Sequence, residues 1–244
     1  FNFLDKIISF DDVQQEIFLL RPPLIVIGSA GSGKTMLTLE HLKLCMNEVL
    51  YVTGSSYLVQ NARQLYYAYD YTNEAQNVEF LSYRELLETL KVPEGKEIDF
   101  YAFAGWLKKF NYGKSFQDAN KLYEEFKGVI TGNCIDKPFL SQEEYVNLGV
   151  KQSIYALEER QKVYALFEKY LQFLSTQGFY DSNVLSFEYL KLCEGKYDFI
   201  VVDEMQDFTS VQLFLILKML KYSHQFILCG DSNQIVHPNF FSWS

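Results

Sequence analysis

The stretch "GSAGSGKT", Gly28 to Thr35, places three glycines, a lysine and a threonine at a spacing that suits the binding of phosphate. Glycines let backbone N–H groups turn inward around phosphate oxygens, and the positive end of a following helix adds to the attraction. In this G-x-x-x-x-G-K-[ST] pattern, Gly28, Ser29, Ala30, Gly31, Ser32 and Gly33 form the cradle. Lys34 then reaches the β- and γ-phosphates, and Thr35 offers a hydroxyl to Mg2+. A second stretch, "FIVVDEMQDFT" from Phe199 to Thr209, supplies carboxylates directly after an apolar run. Asp203 suits Mg2+, directly or through water, because Mg2+ prefers oxygen ligands and keeps several waters. Glu204, one residue on, can orient and deprotonate an attacking water and so suits a general base.

Such residues must be held by a scaffold, and four apolar runs have the length of buried strands: 24–28, 49–54, 199–203 and 226–231. Their nearly continuous hydrophobicity fits parallel strands covered on both faces. Helical spacing fills the intervals at 34–46 and 209–221, so the βαβ pattern occurs twice. From Pro93 to about Gln177 the spacing is helical without buried strands, as in "SFQDANKLYEEFKGVI" and "SIYALEERQKVYALFEKYLQFLS". Ser141 and Glu144 form an S-x-x-E capping signature, and 92–100 and 131–140 read as loops. The expected organisation is an α/β core at 1–90, a mostly helical insertion at 91–177, and the core resumed at 178–244.

The net charge of −9 would argue against a nucleic-acid partner if it were spread evenly, since phosphate affinity comes mostly from Lys and Arg. Residues 91–180, however, hold 12 basic against 12 acidic side chains, so the flanks carry the acidity. Cys45, Cys134, Cys193 and Cys229 are too widely spaced for a zinc site or a redox pair and read as buried thiols in a reducing cytosol. No apolar run is long enough to span a membrane. A soluble, cytoplasmic protein without a membrane partner is expected, and the first residue, Phe1, suggests a piece of a longer chain.

Gln206 and Asp207 complete D-E-x-Q-D, and "GDSNQ" follows at Gly230 to Gln234. With the glycine-rich loop, this ordered set resembles the first RecA-like domain of superfamily 1 helicases of the UvrD/Rep type. The resemblance implies a RecA-like P-loop NTPase core, with a parallel sheet, interrupted by a helical insertion. "VEFLSYRELL" and "GFYDSNVLS" are similar to the segments that flank that insertion in the family. It further implies that Lys34 and Thr35 bind triphosphate and Mg2+, Asp203 holds the metal, and Glu204 activates water. Gln234 would sense the γ-phosphate, with Gln206 assisting. "DVQQEI" is similar to the family's adenine-reading Gln motif, with Gln14 the better candidate and Gln15 the alternative. The strand-binding surface would involve Thr53, Ser55, His237, Phe241 and Trp243. Two departures stand out: Gly54 occupies a position where the family usually has an aromatic, and no Arg follows "GDSNQ". Aromatics there suit stacking on bases, or equally packing in the core or against another domain.

The leading expectation is therefore the ATP-binding motor half of a DNA helicase that takes ATP, Mg2+ and, in a longer parent, single-stranded DNA. A second RecA-like domain, with the arginines that stabilise the transferred phosphoryl group, has no place in these 244 residues. The chain is expected to bind Mg·ATP and hydrolyse it poorly. The alternative is a helicase-like nucleotide switch that acts on protein or RNA partners without unwinding DNA. A P-loop kinase leaves D-E-x-Q-D and the final Gln unexplained.

Overall fold

The computed structural model describes residues 12–29, 31–110, 116 and 118–231. Five strands, β1 (Leu24–Gly28), β2 (Asn47–Thr53), β3 (Gln76–Ser82), β6 (Phe199–Val202) and β7 (Phe226–Asp231), form one sheet in the order β1-β7-β6-β2-β3. Every pairing is parallel. Alternation along β2 sends Val49 and Tyr51 to one face and Leu50 and Val52 to the other. The first face is covered by α2 (Lys34–Leu42) and α3 (Ser56–Tyr66), with α1 (Asp12–Phe18) at its margin. The second is covered by α4 (Tyr83–Leu90), α9 (Ser182–Tyr189) and α10 (Ser210–Lys218). This is the RecA-like α/β core, and burial on both faces explains why its central strands read as unbroken apolar runs.

Sequence reasoning assigns no strand to β3. Gln76, Asn77 and Glu79 interrupt its apolar run, and they are tolerated because β3 lies at the sheet edge, paired only with β2. Strand β2 also begins two residues before the expected 49, and α2 stops at Leu42 instead of reaching Met46. The expectation of four buried thiols is corrected too: Cys134 and Cys229 are buried, whereas Cys45 and Cys193 are half-buried.

Between β3 and β6 lie α5 (Phe100–Leu107), α6 (Ala119–Glu124), a π-helical turn at Glu125–Thr131, α7 (Gln142–Val146) and α8 (Leu157–Gln177). They enclose a separate aromatic core in which Phe103, Phe126, Phe167 and Tyr170 pack ring against ring. The expected capping box forms, with Ser141 Oγ accepting from the Glu144 amide. Two buried charges organise the loops here. Glu125 accepts from Tyr145 Oη at 2.6 Å and from the Ile154 amide at 2.9 Å, and Arg160 donates to the carbonyls of Val146, Leu148, Gly149 and Tyr155.

The chain enters and leaves this helical part side by side. Strands β4 (Lys96–Glu97) and β5 (Phe179–Tyr180) pair in parallel, a further strand pair not expected from the sequence. Gly95 is required at the crossing: its φ is +88°, and a Cβ there would lie 2.2 Å from the Gly178 carbonyl. Beyond it, a buried polar network ties the helical part to the core. Lys127 Nζ meets Asp181 Oδ2 at 3.3 Å and donates to Ser182 Oγ at 3.1 Å, while Tyr170 Oη donates to the same carboxylate at 2.8 Å. Asn183 Nδ2 donates to the Lys127 carbonyl, and Asn183 Oδ1 accepts from Thr209 Oγ1. Burial works against the Lys127 charge, yet Asp181 prevails and holds its pKa above the ordinary lysine value.

Removing Asp181 leaves an uncompensated charge inside this network and uncaps α9, whose Asn183 and Val184 amides it receives. Asp181→Ala is expected to cost about 3–5 kcal/mol in denaturant unfolding. Lys91→Ala, which deletes the exposed Lys91–Glu94 pair, should stay within about 0.5 kcal/mol of wild type.

Candidate nucleotide site

Parallel pairing brings the carboxyl ends of the strands to one edge, the place where open α/β sheets bind ligands. Gly28 closes β1 in register with Asp231 at the end of β7, and Asp203 follows β6 between β7 and β2. The glycine-rich loop leaves β1 here and turns into α2 through Gly31 and Gly33, at φ +75° and +76°. No side chain caps α2, so its first N–H groups remain available to an anion. Lys34 folds back over the loop and donates to the carbonyls of Gly28 at 2.9 Å and Ser29 at 2.6 Å. Its ammonium thus stands at the mouth of the loop. Gln14 Nε2 donates to the Ser32 carbonyl at 2.8 Å, and a Cβ on Gly33 would come within 2.7 Å of it. Gln14 therefore reaches the loop, whereas Gln15 is exposed.

Across the cleft, Thr35 Oγ1 donates to Asp203 Oδ2 at 2.9 Å, joining residues 168 apart in the sequence. Tyr51 Oη donates to the same oxygen at 2.5 Å, and the Glu204 amide donates to Oδ1 at 3.0 Å. Asp203 is 4% exposed, so these donors take the place of water around it, and the Cys229 thiol, also hydrogen-bonded to Asp203, joins them. Burial, and then the Asp203 charge, push the Tyr51 phenol well above its ordinary pKa, and the same two causes raise the Cys229 thiol. Both side chains stay protonated. Glu204 occupies left-handed backbone at φ +53°. Gln206 Nε2 donates to Glu204 Oε2 at 2.6 Å, and Gln206 Oε1 accepts from the Asp231 amide at 3.0 Å. One amide side chain thereby bridges the two carboxylate-bearing strand ends. Asp207, more exposed, has its pKa raised by desolvation and by the charges of Glu204 and Asp203.

The donor set fits Mg2+. It offers one hydroxyl and one carboxylate on adjacent walls, and among the described residues no group of three or more His, Cys, Asp or Glu side chains could cage an ion. Mg2+ is commonly held this way, by one or two protein oxygens with the remainder supplied by water and substrate phosphates.

The structure thus brings together Gln14, Gly28, Ser29, Gly31, Ser32, Gly33, Lys34, Thr35, Asp203, Glu204 and Gln206. Ala30, Gln234, His237, Phe241 and Trp243 lie outside the described residues. Of the expected strand-binding pair, Thr53 is fully buried at the end of β2, and the exposed Ser55 is the N-cap of α3, accepting from the Tyr57 amide at 3.2 Å. Sequence reasoning missed Tyr51. The available signal was a single polar-tipped residue inside the aliphatic run "VLYVT", in a strand that neighbours the one bearing Asp203.

A family model described as UvrD/REP helicase N-terminal domain matches residues 61–239. That span includes the Asp203 loop and begins after the glycine-rich loop. TPR and ankyrin repeat-containing protein 1 of Homo sapiens is 26% identical over 138 residues, covering 52% of this chain. The chain spans 5% of that relative's length.

Left-handed backbone at a non-glycine residue costs about 1–2 kcal/mol, so Glu204 is held in place at the expense of stability. Glu204→Gly is expected to melt no lower than wild type despite losing a hydrogen-bonded carboxylate. Glu204→Val, β-branched at the same φ, should melt lower, and thermal denaturation of the two variants makes the comparison.

Proposed function

The chain belongs to the UvrD/REP helicase family, and from that premise we propose that it is the ATP-binding half of a motor that couples ATP hydrolysis to movement along single-stranded DNA and to unwinding. As a member of that family it is a helicase-like motor domain. The observation that carries the finer reading is the meeting of Thr35 and Asp203 at 2.9 Å beneath the Lys34 loop. In this reading residues 1–90 and 178–244 form the motor core, and 91–177 an insertion.

The loop amides and Lys34 bind the β- and γ-phosphates, Gln14 lies where an adenine would approach the loop, and Thr35 with Asp203 holds Mg2+. When bound, the ion neutralises charge on the phosphate oxygens. Glu204 accepts the proton of the attacking water, and Gln206 holds its carboxylate through the Nε2 hydrogen bond. Gln234 is assigned the sensing of the γ-phosphate, and His237, Phe241 and Trp243 a stacking surface for bases. The chain's own arginines offer nothing to the transferred phosphoryl group. Arg160 is buried among carbonyls far along the chain, Arg84 pairs with Glu88, and Arg21 and Arg63 are exposed outside the loop and carboxylate segments. An arginine supplied in trans is worth about 10³–10⁵ in rate, so a second RecA-like domain is the expected donor. Unpaired thiols among the described residues fit work in the reducing cytoplasm.

A second reading, a nucleotide switch acting on protein or RNA partners, draws on the burial of Thr53 and on Gly54 in place of an aromatic. The human relative is named for TPR and ankyrin repeats, modules that build extended binding surfaces.

The chain is expected to bind Mg·ATP, and Lys34→Ala to weaken that binding by about 30-fold or more, the cost of removing one partner of a charge pair. Equilibrium titration with a fluorescent ATP analogue measures both. Hydrolysis by the isolated chain should be slow and unresponsive to single strands; fast, strand-stimulated turnover would refute the need for an arginine in trans. Binding of a longer parent to labelled single-stranded DNA should weaken steeply as salt rises, and a flat salt response favours the switch.

A further inference from the structure

Four donors hold the Asp203 carboxylate, three O–H or N–H groups and one thiol, and they are not equivalent. Thr35 donates from the glycine-rich loop's helix, and its hydroxyl is itself assigned to the metal. The Glu204 amide belongs to the loop that carries Asp203 and sits on left-handed backbone. From the interior of the sheet come the Cys229 thiol of β7, a weak donor, and the much stronger donor Tyr51. Tyr51 is 1% exposed, lies in β2 between β6 and β3, and packs its ring on Phe80 with centroids 5.4 Å apart. Its backbone is paired in register with Phe80 and Val201, so the phenol oxygen is fixed in space before any ligand arrives. At 2.5 Å it makes the shortest of the three O–H and N–H contacts.

We propose that Tyr51 is a positioning residue for the divalent cation: by donating to Asp203 Oδ2 it fixes the carboxylate orientation in which Asp203 meets Mg2+. The inference rests on the assignment of Asp203 as a metal-holding residue. Without the phenol, the carboxylate keeps the Thr35 hydroxyl, itself assigned to the metal, the amide of its own loop and the weakly donating Cys229 thiol. It then rotates about its Cβ–Cγ bond among orientations of which a fraction suits the ion. Tyr51 is too deep in the sheet to touch a nucleotide, so its effect should be confined to the metal. A phenol that only satisfies a buried carboxylate would instead change stability and leave metal affinity alone.

The test is a Mg2+ titration of fluorescent ATP analogue binding to the wild-type chain, Tyr51→Phe and Phe80→Leu, with thermal melts of all three. Tyr51→Phe keeps the ring and removes the hydroxyl; Phe80→Leu disturbs the packing of that ring and keeps the hydroxyl. Tyr51→Phe is expected to need about tenfold more Mg2+ for half-maximal binding, with binding in excess chelator unchanged. Phe80→Leu is expected to melt lower and keep the wild-type Mg2+ midpoint. A Tyr51→Phe midpoint within about twofold of wild type overturns the inference, as does an equal shift in Phe80→Leu, which would make the effect one of packing. Either of those results leaves nucleotide binding by the wild-type chain intact and so spares the functional reading. A wild-type chain that binds no nucleotide at any Mg2+ concentration overturns that reading and this inference together.

Discussion

A carboxylate taken out of water is tolerated only where donors replace its hydration, and Asp203 imposes that constraint on the whole core. Its donors come from α2 through Thr35, β2 through Tyr51, β7 through the Cys229 thiol, and the backbone of its own loop. The first two can reach it only if β6 lies beside β2 and the glycine-rich loop leaves β1 at the same edge. The strand order β1-β7-β6-β2-β3 meets both conditions. Parallel pairing keeps the ends of β1, β7 and β6, and so Gly28, Asp231 and Asp203, at one edge, whereas an antiparallel β7 would carry Asp231 to the opposite end. The apolar faces supply most of the stability of the sheet, and this polar edge determines which arrangement of apolar strands is useful.

A second buried carboxylate repeats the device at the other boundary. Asp181 is satisfied by Lys127, by Tyr170 and by the first turn of α9, so one side chain joins the π-helical turn, the long α8 and the resumed core. Glu125 through Thr131 are all buried, and the wide π turn presents Glu125 to one network and Lys127 to another. From Asn183 the network passes to Thr209, two residues beyond Asp207. The Val211 amide, in the first turn of α10, also donates to the Gly132 carbonyl at 3.1 Å. The loop that carries the carboxylates of the nucleotide site is thus anchored at its far end to the helical part.

Much of this was legible in the residues because both signals are local. The glycine-rich loop announces its own conformation through glycines that tolerate positive φ, and central strands buried on two faces cannot hide their hydrophobicity. What escaped was whatever depends on neighbours distant in sequence. Strand β3 carries Gln76, Asn77 and Glu79 because an edge position permits them, and nothing within the segment says that it is an edge. Thr53 lies inside the expected 49–54 strand, and nothing in that run says that its side chain is fully buried where β2 ends in register with Ser82 of β3. Tyr51 reads as one more core aromatic until β6 places an aspartate beside its hydroxyl. The β4–β5 pair is two residues long, too short for any periodicity to register.

Gln206 shows why these long-range contacts bear on function. Its amide holds Glu204 with one end and the Asp231 amide with the other, and a Cβ at Gly230 would come within 2.9 Å of Gln206 Oε1. A bridge that close cannot change on one side unnoticed by the other. A shift of Glu204 would pull on Gln206 and hence on the end of β7, from which the chain runs on toward Gln234. On the opposite flank the same loop is tied through Thr209 and Asn183 to the π-helical turn. The few residues from Asp203 to Thr209 therefore stand between the phosphate-binding loop, the exit of β7 and the helical part. Dense packing makes such a junction favour discrete arrangements over gradual deformation. A chemical event at one carboxylate has two physical routes outward, and neither requires a residue that touches the nucleotide.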